Sequence, residues 1–209
     1  MITLLAKKPD ILLGTRIWKT KGNWKYDFEG LYQFGKINTQ NISAWTLSSN
    51  TSYTFENVKF NPGIGLKTEF ISGDKNSNGN KLQAFNPLYQ KGAYFGLAGL
   101  IGPSNLINIH LSIALDLTEK LGFQIDYDVF RRSSIHGSLY APNMQLSYSG
   151  DNTTERFIGT QLIANFDYNV NPFLTVSVER AWFDAGAFLK ETGSGKDYFY
   201  TALKAQFKL

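Results

Sequence analysis

Apolar and polar residues alternate with a period of two through almost the whole chain, which restricts it to strands whose two faces differ chemically. Ile107, Ile109, Leu111, Ile113, Leu115 and Leu117 alternate with Asn108, His110, Ser112, Ala114 and Asp116. The next segment repeats the pattern, with Leu121, Phe123, Ile125, Tyr127 and Val129 against Gly122, Gln124, Asp126 and Asp128. Trp24, Tyr26, Phe28, Tyr32 and Phe34 oppose Lys25, Asp27, Glu29 and Gln33. Ile158, Leu162, Ala164, Phe166 and Tyr168 oppose Gln161, Asn165 and Asp167, and Leu203, Ala205, Phe207 and Leu209 oppose Lys204, Gln206 and Lys208. The pattern predicts about nine strands, over residues 11–19, 24–35, 42–55, 62–72, 105–117, 121–132, 156–169, 173–183 and 197–209. Several reach the roughly 9–11 residues a tilted membrane strand needs, against about 5–6 in an average globular strand.

The connections carry an independent signal. Short turns at Lys21-Gly22-Asn23, Glu56 to Asn61, Thr118-Glu119-Lys120 and Val170-Asn171-Pro172 alternate with a moderate one after Gly35. They also alternate with long ones at Gly73 to Ser104, Ser133 to Glu155 and Asp184 to Lys196. All long loops then lie at one edge of the sheet, as in outer-membrane barrels. Aromatic residues fall in two groups. Trp24, Tyr53, Phe55 and Tyr168 lie near tight-turn ends, and Tyr32, Phe34, Trp45, Tyr127 and Trp182 near long-loop ends. Belts at opposite strand ends suit rings sitting at two membrane interfaces.

Composition agrees. Only 43% of the 209 residues are hydrophobic and mean hydropathy is −0.23, and no apolar run suits a transmembrane helix. A spanning barrel needs only every second residue apolar, so such averages do not exclude a membrane. Absence of cysteine removes disulfides and thiolate chemistry. The net charge of +4 comes from scattered Lys and Arg, with no nucleic-acid footprint. Met1 to Ala6 is apolar and precedes Lys7, Lys8 and Pro9, the reverse of a secretory signal, whose charge comes first. A chain truncated at its N-terminus is the expectation.

Ser72-Gly73-Asp74-Lys75-Asn76, followed by Phe85-Asn86-Pro87-Leu88-Tyr89-Gln90-Lys91-Gly92-Ala93-Tyr94-Phe95-Gly96, resembles the signature of alginate-export-type outer-membrane porins. Leu139-Tyr140-Ala141-Pro142 and Phe188-Leu189-Lys190-Glu191-Thr192-Gly193 are similar to that family too. The resemblance covers nearly all of the chain. It implies an all-β antiparallel up-and-down transmembrane β-barrel of about 18 strands, of which residues 1–209 form the C-terminal half as a single β-barrel domain. It implies a non-enzymatic bacterial outer-membrane porin, in contact with lipid and the barrel assembly machinery, for passage or export of polar or anionic solutes, polysaccharide among them. The last strand, ending Phe207-Lys208-Leu209, partly resembles the assembly signal of such proteins.

Within that frame, Lys25, Lys67, Arg132, Lys204 and Lys208 are the expected attractive groups of a pore lining. Asp27, Glu29, Glu69, Asp126, Asp128 and Glu179 share the polar faces with them. Such a mixed wall is not an obvious filter for polyanions. Phe85, Asn86, Pro87, Leu88, Tyr89, Lys91, Gly92 and Tyr94 form an external loop motif, and the glycine-rich stretch after it is expected to fold inward over the pore. Asp74 to Gly79 shows part of an EF-hand loop, but position twelve is Phe85 instead of a bidentate Glu. No metal or cofactor is therefore expected. His110 reads as polar lining. His136, beside Ser133, Ser134 and Ser138, keeps open a barrel enzyme, although no G-x-S-x-G or H-E-x-x-H occurs. A small closed barrel with a structural or adhesive role is the other alternative.

Overall fold

A computed structural model describes residues 10–76, 79–89, 92–93 and 95–208. In chain order these residues form β1 (Asp10–Lys21), β2 (Trp24–Ile37), β3 (Gln40–Thr54), β4 (Gly63–Ile71), β5 (Lys81–Leu82), β6 (Leu106–Asp116), β7 (Leu121–Arg132), β8 (Leu139–Tyr140), β9 (Leu146–Tyr148), β10 (Phe157–Asn171), β11 (Leu174–Ala185), α1 (Ala187–Thr192) and β12 (Tyr198–Phe207). The nine long strands coincide with the nine read from the alternation. They make one antiparallel meander in the order β1-β2-β3-β4-β6-β7-β10-β11-β12. β5 adds to β3, and β8 pairs with β9 in a separate hairpin.

Two adjacent cross-strand rows show why the sheet has two characters. One row runs Tyr26, Thr51, Leu66, Leu111, Tyr127, Leu162, Trp182 and Phe199. The next, one residue along each strand, runs Asp27, Asn50, Lys67, His110, Asp128 and Gln161. Successive side chains point to opposite faces, so the first row belongs to an apolar face and the second to a polar one. The apolar face is turned outward, with Leu111 51% and Leu203 77% exposed. A water-soluble sheet buries that face. Both aromatic groups lie on it. Trp24 packs on Tyr53 at one end, at 4.9 Å between ring centroids, and Tyr32 stacks on Phe34 at the other, at 5.8 Å.

A hydrophobic core does exist, but on the polar side, at the long-loop end. Ala44, Ile71, Leu106, Phe130, Phe183 and Ala185 from strand ends meet Phe85 and Ile101 of the 72–105 loop, Leu139 of the 133–156 loop and Phe188 of α1. The loops therefore pack onto the sheet and cover that end of its polar face.

Two details depart from expectation. The connection after Gly35 is a two-residue turn, Asn38-Thr39, because β2 runs on to Ile37 and Asn38 takes a left-handed φ of 52°, the conformation tight hairpins require. Ile158, expected on the apolar face, is fully buried in the core. A register shift between Phe157 and Gly159 against β7 breaks the alternation there, and Gly159 takes a φ of 154°, as a bulge allows. Leu209 lies outside the described residues.

Among the described residues β1 pairs only with β2, and β12 only with β11. The sheet is open at both edges, as the wall of a partial barrel is.

Candidate functional site

Register places Lys25, Asp27 and Glu29 of β2, Lys67 and Glu69 of β4, Asp126, Asp128 and Arg132 of β7 and Lys204 of β12 on the polar face. Lys208 lies past the end of β12, exposed at the tight-turn end, where its N–H donates to the Phe173 carbonyl. Glu179 of β11 and His110 of β6 share the face. So do Asp10 and Arg16 of β1, Asp116 of β6 and Asp167 of β10. Arg16 is a group the alternation did not single out, since its neighbours Ile17 and Trp18 blur the pattern.

These groups pair in distinct ways. Arg16 holds Asp27 in a two-pronged bridge, at 2.8 and 2.5 Å, and stands directly across from Glu29. Lys67 Nζ lies 3.3 Å from Glu69. His110 sits between two acids, with Nε2 2.9 Å from Asp126 and Nδ1 3.1 Å from Asp128. Both contacts are hydrogen bonds when the ring carries two N–H groups. Asn108 donates to Asp128 at 3.0 Å, and Gln124 donates to both oxygens of Asp126. Asp167 accepts from Asn165 and Ser177. Glu69, Asp126 and Asp128 are buried, whereas Lys25 and Lys204 are exposed.

Arg132 has a different place from the one its alternation suggested. It is fully buried. Its guanidinium donates to the carbonyls of Glu155 (2.9 and 2.5 Å), Ile135 (3.1 Å), Gly137 (2.9 Å) and Thr153 (3.0 Å). It also lies over the Phe188 ring, 4.3 Å from the centroid. Every bond goes to loop backbone, so Arg132 organises the 133–156 loop and presents no charge to a solute. Asn105, which the sequence did not reveal, ties the first two long loops together. Its amide donates to Ser134 and Ser138 carbonyls, and its Oδ1 accepts the Ser134 N–H at 2.7 Å.

The 72–105 loop folds inward across the polar face. Gln33 of β2 clasps Asn86 in two reciprocal bonds of 3.0 Å. Far along the sheet, Gln161 of β10 donates to the Phe95 carbonyl at 3.1 Å, and Phe95 packs edge-on to Phe130 at 5.5 Å. Gly96 has a φ of +105°, and a Cβ there would lie 3.0 Å from Gln161 Nε2, so only glycine permits this approach. Of the loop motif, Phe85 is core, Asn86 is held by Gln33, and Pro87, Leu88 and Tyr89 line a 220 Å³ recess with Glu29 and Ser48. Gly92 is exposed. Lys91 and Tyr94 lie outside the described residues.

The remaining motifs resolve as loop structure. Asp74 Oδ1 accepts the backbone N–H groups of Gln83 and Ala84, which makes it a loop clasp. Ser134 Oγ donates to the Asp74 carbonyl and accepts the His136 backbone N–H. His136 lines an 810 Å³ cleft with Asp151 and Glu191 at the long-loop end. Burial, reinforced by Asp74 and Asp151, pushes the Tyr140 phenol above its ordinary pKa, keeping it a neutral donor.

The sequence model of a family described as alginate export matches residues 7–201. No curated protein matches the chain. Among solved structures, a NanC porin is similar over 96% of this chain and 79% of that one, at 12% identity and a TM-score of 0.48.

Proposed function

The chain belongs to the alginate export family, and from that membership we propose that it forms part of the wall of an outer-membrane channel for passive passage of polar solutes. One observation carries this reading. Every long strand presents an exposed apolar face on one side, and a face of charged, amide and hydroxyl groups on the other. Lipid meets the first and an aqueous lumen the second. The two open edges support a wall completed by further strands, since an unpaired edge is costly in hydrocarbon.

Lys25, Lys67, Lys204 and Lys208, with Asp27, Glu29, Glu69, Asp126 and Asp128, are the lining in this reading. They replace part of a solute's hydration as it passes. The inward loop, clasped by Gln33 and Gln161, narrows the route. Lipid and the barrel assembly machinery are the partners, and the outer membrane the location. No step of bond making is assigned to Ser134 and His136, because the Ser134 hydroxyl is engaged with loop backbone on both sides. Polysaccharide export is the second reading, favoured by the family's description.

Liposome swelling tests the proposal. Vesicles holding the full-length protein should swell in small neutral sugars and progressively less in larger ones. Swelling no faster than in protein-free vesicles would refute passive passage.

A further inference from the structure

The polar face is electrically negative although the chain is not. On the nine long strands it carries nine carboxylates: Asp10, Asp27, Glu29, Glu69, Asp116, Asp126, Asp128, Asp167 and Glu179. Only five Lys or Arg accompany them: Arg16, Lys25, Lys67, Arg132 and Lys204. The excess is four negative charges, or three when His110 is protonated. The whole chain has 21 basic and 17 acidic residues, so taking the face away leaves 16 basic against 8 acidic elsewhere. The rest of the chain therefore carries a net +8, and the +4 of the whole is the sum of two opposite parts that says nothing of the lumen.

The few cations on the face are mostly engaged. Arg132 gives all its donors to loop carbonyls. Arg16 is bonded to Asp27 while also facing Glu29, and Lys67 is bonded to Glu69. Across β7, β10 and β11 the imbalance is greatest. By register Glu179 stands between the rows of Asp126 and Asp167, with Lys204 the nearby base. An independent observation points the same way. Three buried oxygens on this face, Asp10 Oδ1, Asn108 Oδ1 and Glu179 Oε1, have no hydrogen-bond partner. Asn108 is fully buried and spends its donor on Asp128. Groups left without partners here are acceptors, which a donor-bearing or cationic species satisfies and an anion does not.

We propose that this wall makes the channel prefer cations over anions, so that its solute is neutral or positively charged and not a polyanion. The proposal rests on the channel reading above and deepens it. A lumen lined by one sign of charge concentrates the opposite sign. At about 10 Å in water, each unit charge changes local ion concentration roughly twofold.

The test is the reversal potential of the full-length protein in planar bilayers under a KCl gradient. The expected sign is that of a cation-selective pore. Glu29→Gln, Asp167→Asn and Glu179→Gln together should lower local cation concentration about eightfold and raise that of anions by the same factor, so the cation-to-anion permeability ratio should fall by about sixtyfold, and Lys25→Met with Lys204→Met should raise it. The lysine pair also guards against misfolding of the acidic variant, since it predicts a shift of opposite sign. An anion-selective wild type, or a ratio indifferent to both sets, overturns the cation preference and leaves the channel standing. Absence of any conductance overturns the channel itself.

Discussion

Arg132 offers the sharpest test of how the long loops are held. Replacing it with Met keeps an unbranched stem over Phe188 but removes the guanidinium. Four carbonyls, those of Gly137 and Thr153 buried and those of Glu155 and Ile135 half-buried, then lose their donor. At a net cost of about 1 kcal/mol each, the closed loop loses about 4 kcal/mol. Hydrogen bonds to a charged donor are worth more, so this is a lower figure. Since about 1.4 kcal/mol is a factor of ten, the loop's opening equilibrium should rise nearly a thousandfold. Hydrogen exchange of amides in residues 133–156, on protein in detergent micelles, reads this directly, with amides in the middle of β6 and β7 as internal reference. Exchange should accelerate in the loop and not in the strands. Arg132→Lys should lie close to the Met variant, because one ammonium cannot reach carbonyls arranged around a planar fork. Wild-type protection of the loop in Arg132→Met would refute the argument that these bonds hold it.

Two further outcomes bear on the faces and the inward loop. Leu111→Arg, placed in the middle of the outward face, should cost about 2–4 kcal/mol in reversible urea unfolding from lipid vesicles, whereas Leu111→Phe should be nearly silent. Equal effects would mean that this face does not meet hydrocarbon. Gln33→Ala with Gln161→Ala frees Asn86 and Phe95 from the wall and should raise single-channel conductance and its fluctuation. Unchanged conductance would show that the loop does not narrow the route.

The strands were legible because a two-faced sheet writes its period into every second residue. Each long strand lies within three residues of its expected position. The exceptions mark where another force prevails. At Ile158 a bulge turns an apolar residue into the core, and at Asn38 a left-handed residue closes a hairpin sooner than the composition suggested. Arg132 shares the phase of Asp126 and Asp128, so alternation alone placed it with them. Its burial comes from loops distant in sequence, which period-two reasoning does not describe. Charge was the least legible quantity. A chain total sums the polar face with everything else, and here those two parts carry opposite signs.

The nine long strands alternate in direction, so β1 and β12, the first and last of them, run the same way. Bringing those two edges together directly would create a parallel seam, and so would joining two copies edge to edge with a common membrane orientation. An even number of strands inserted between them leaves one such seam. An odd number leaves none. Parity alone therefore requires that whatever completes an all-antiparallel ring contribute an odd number of strands, making the total even.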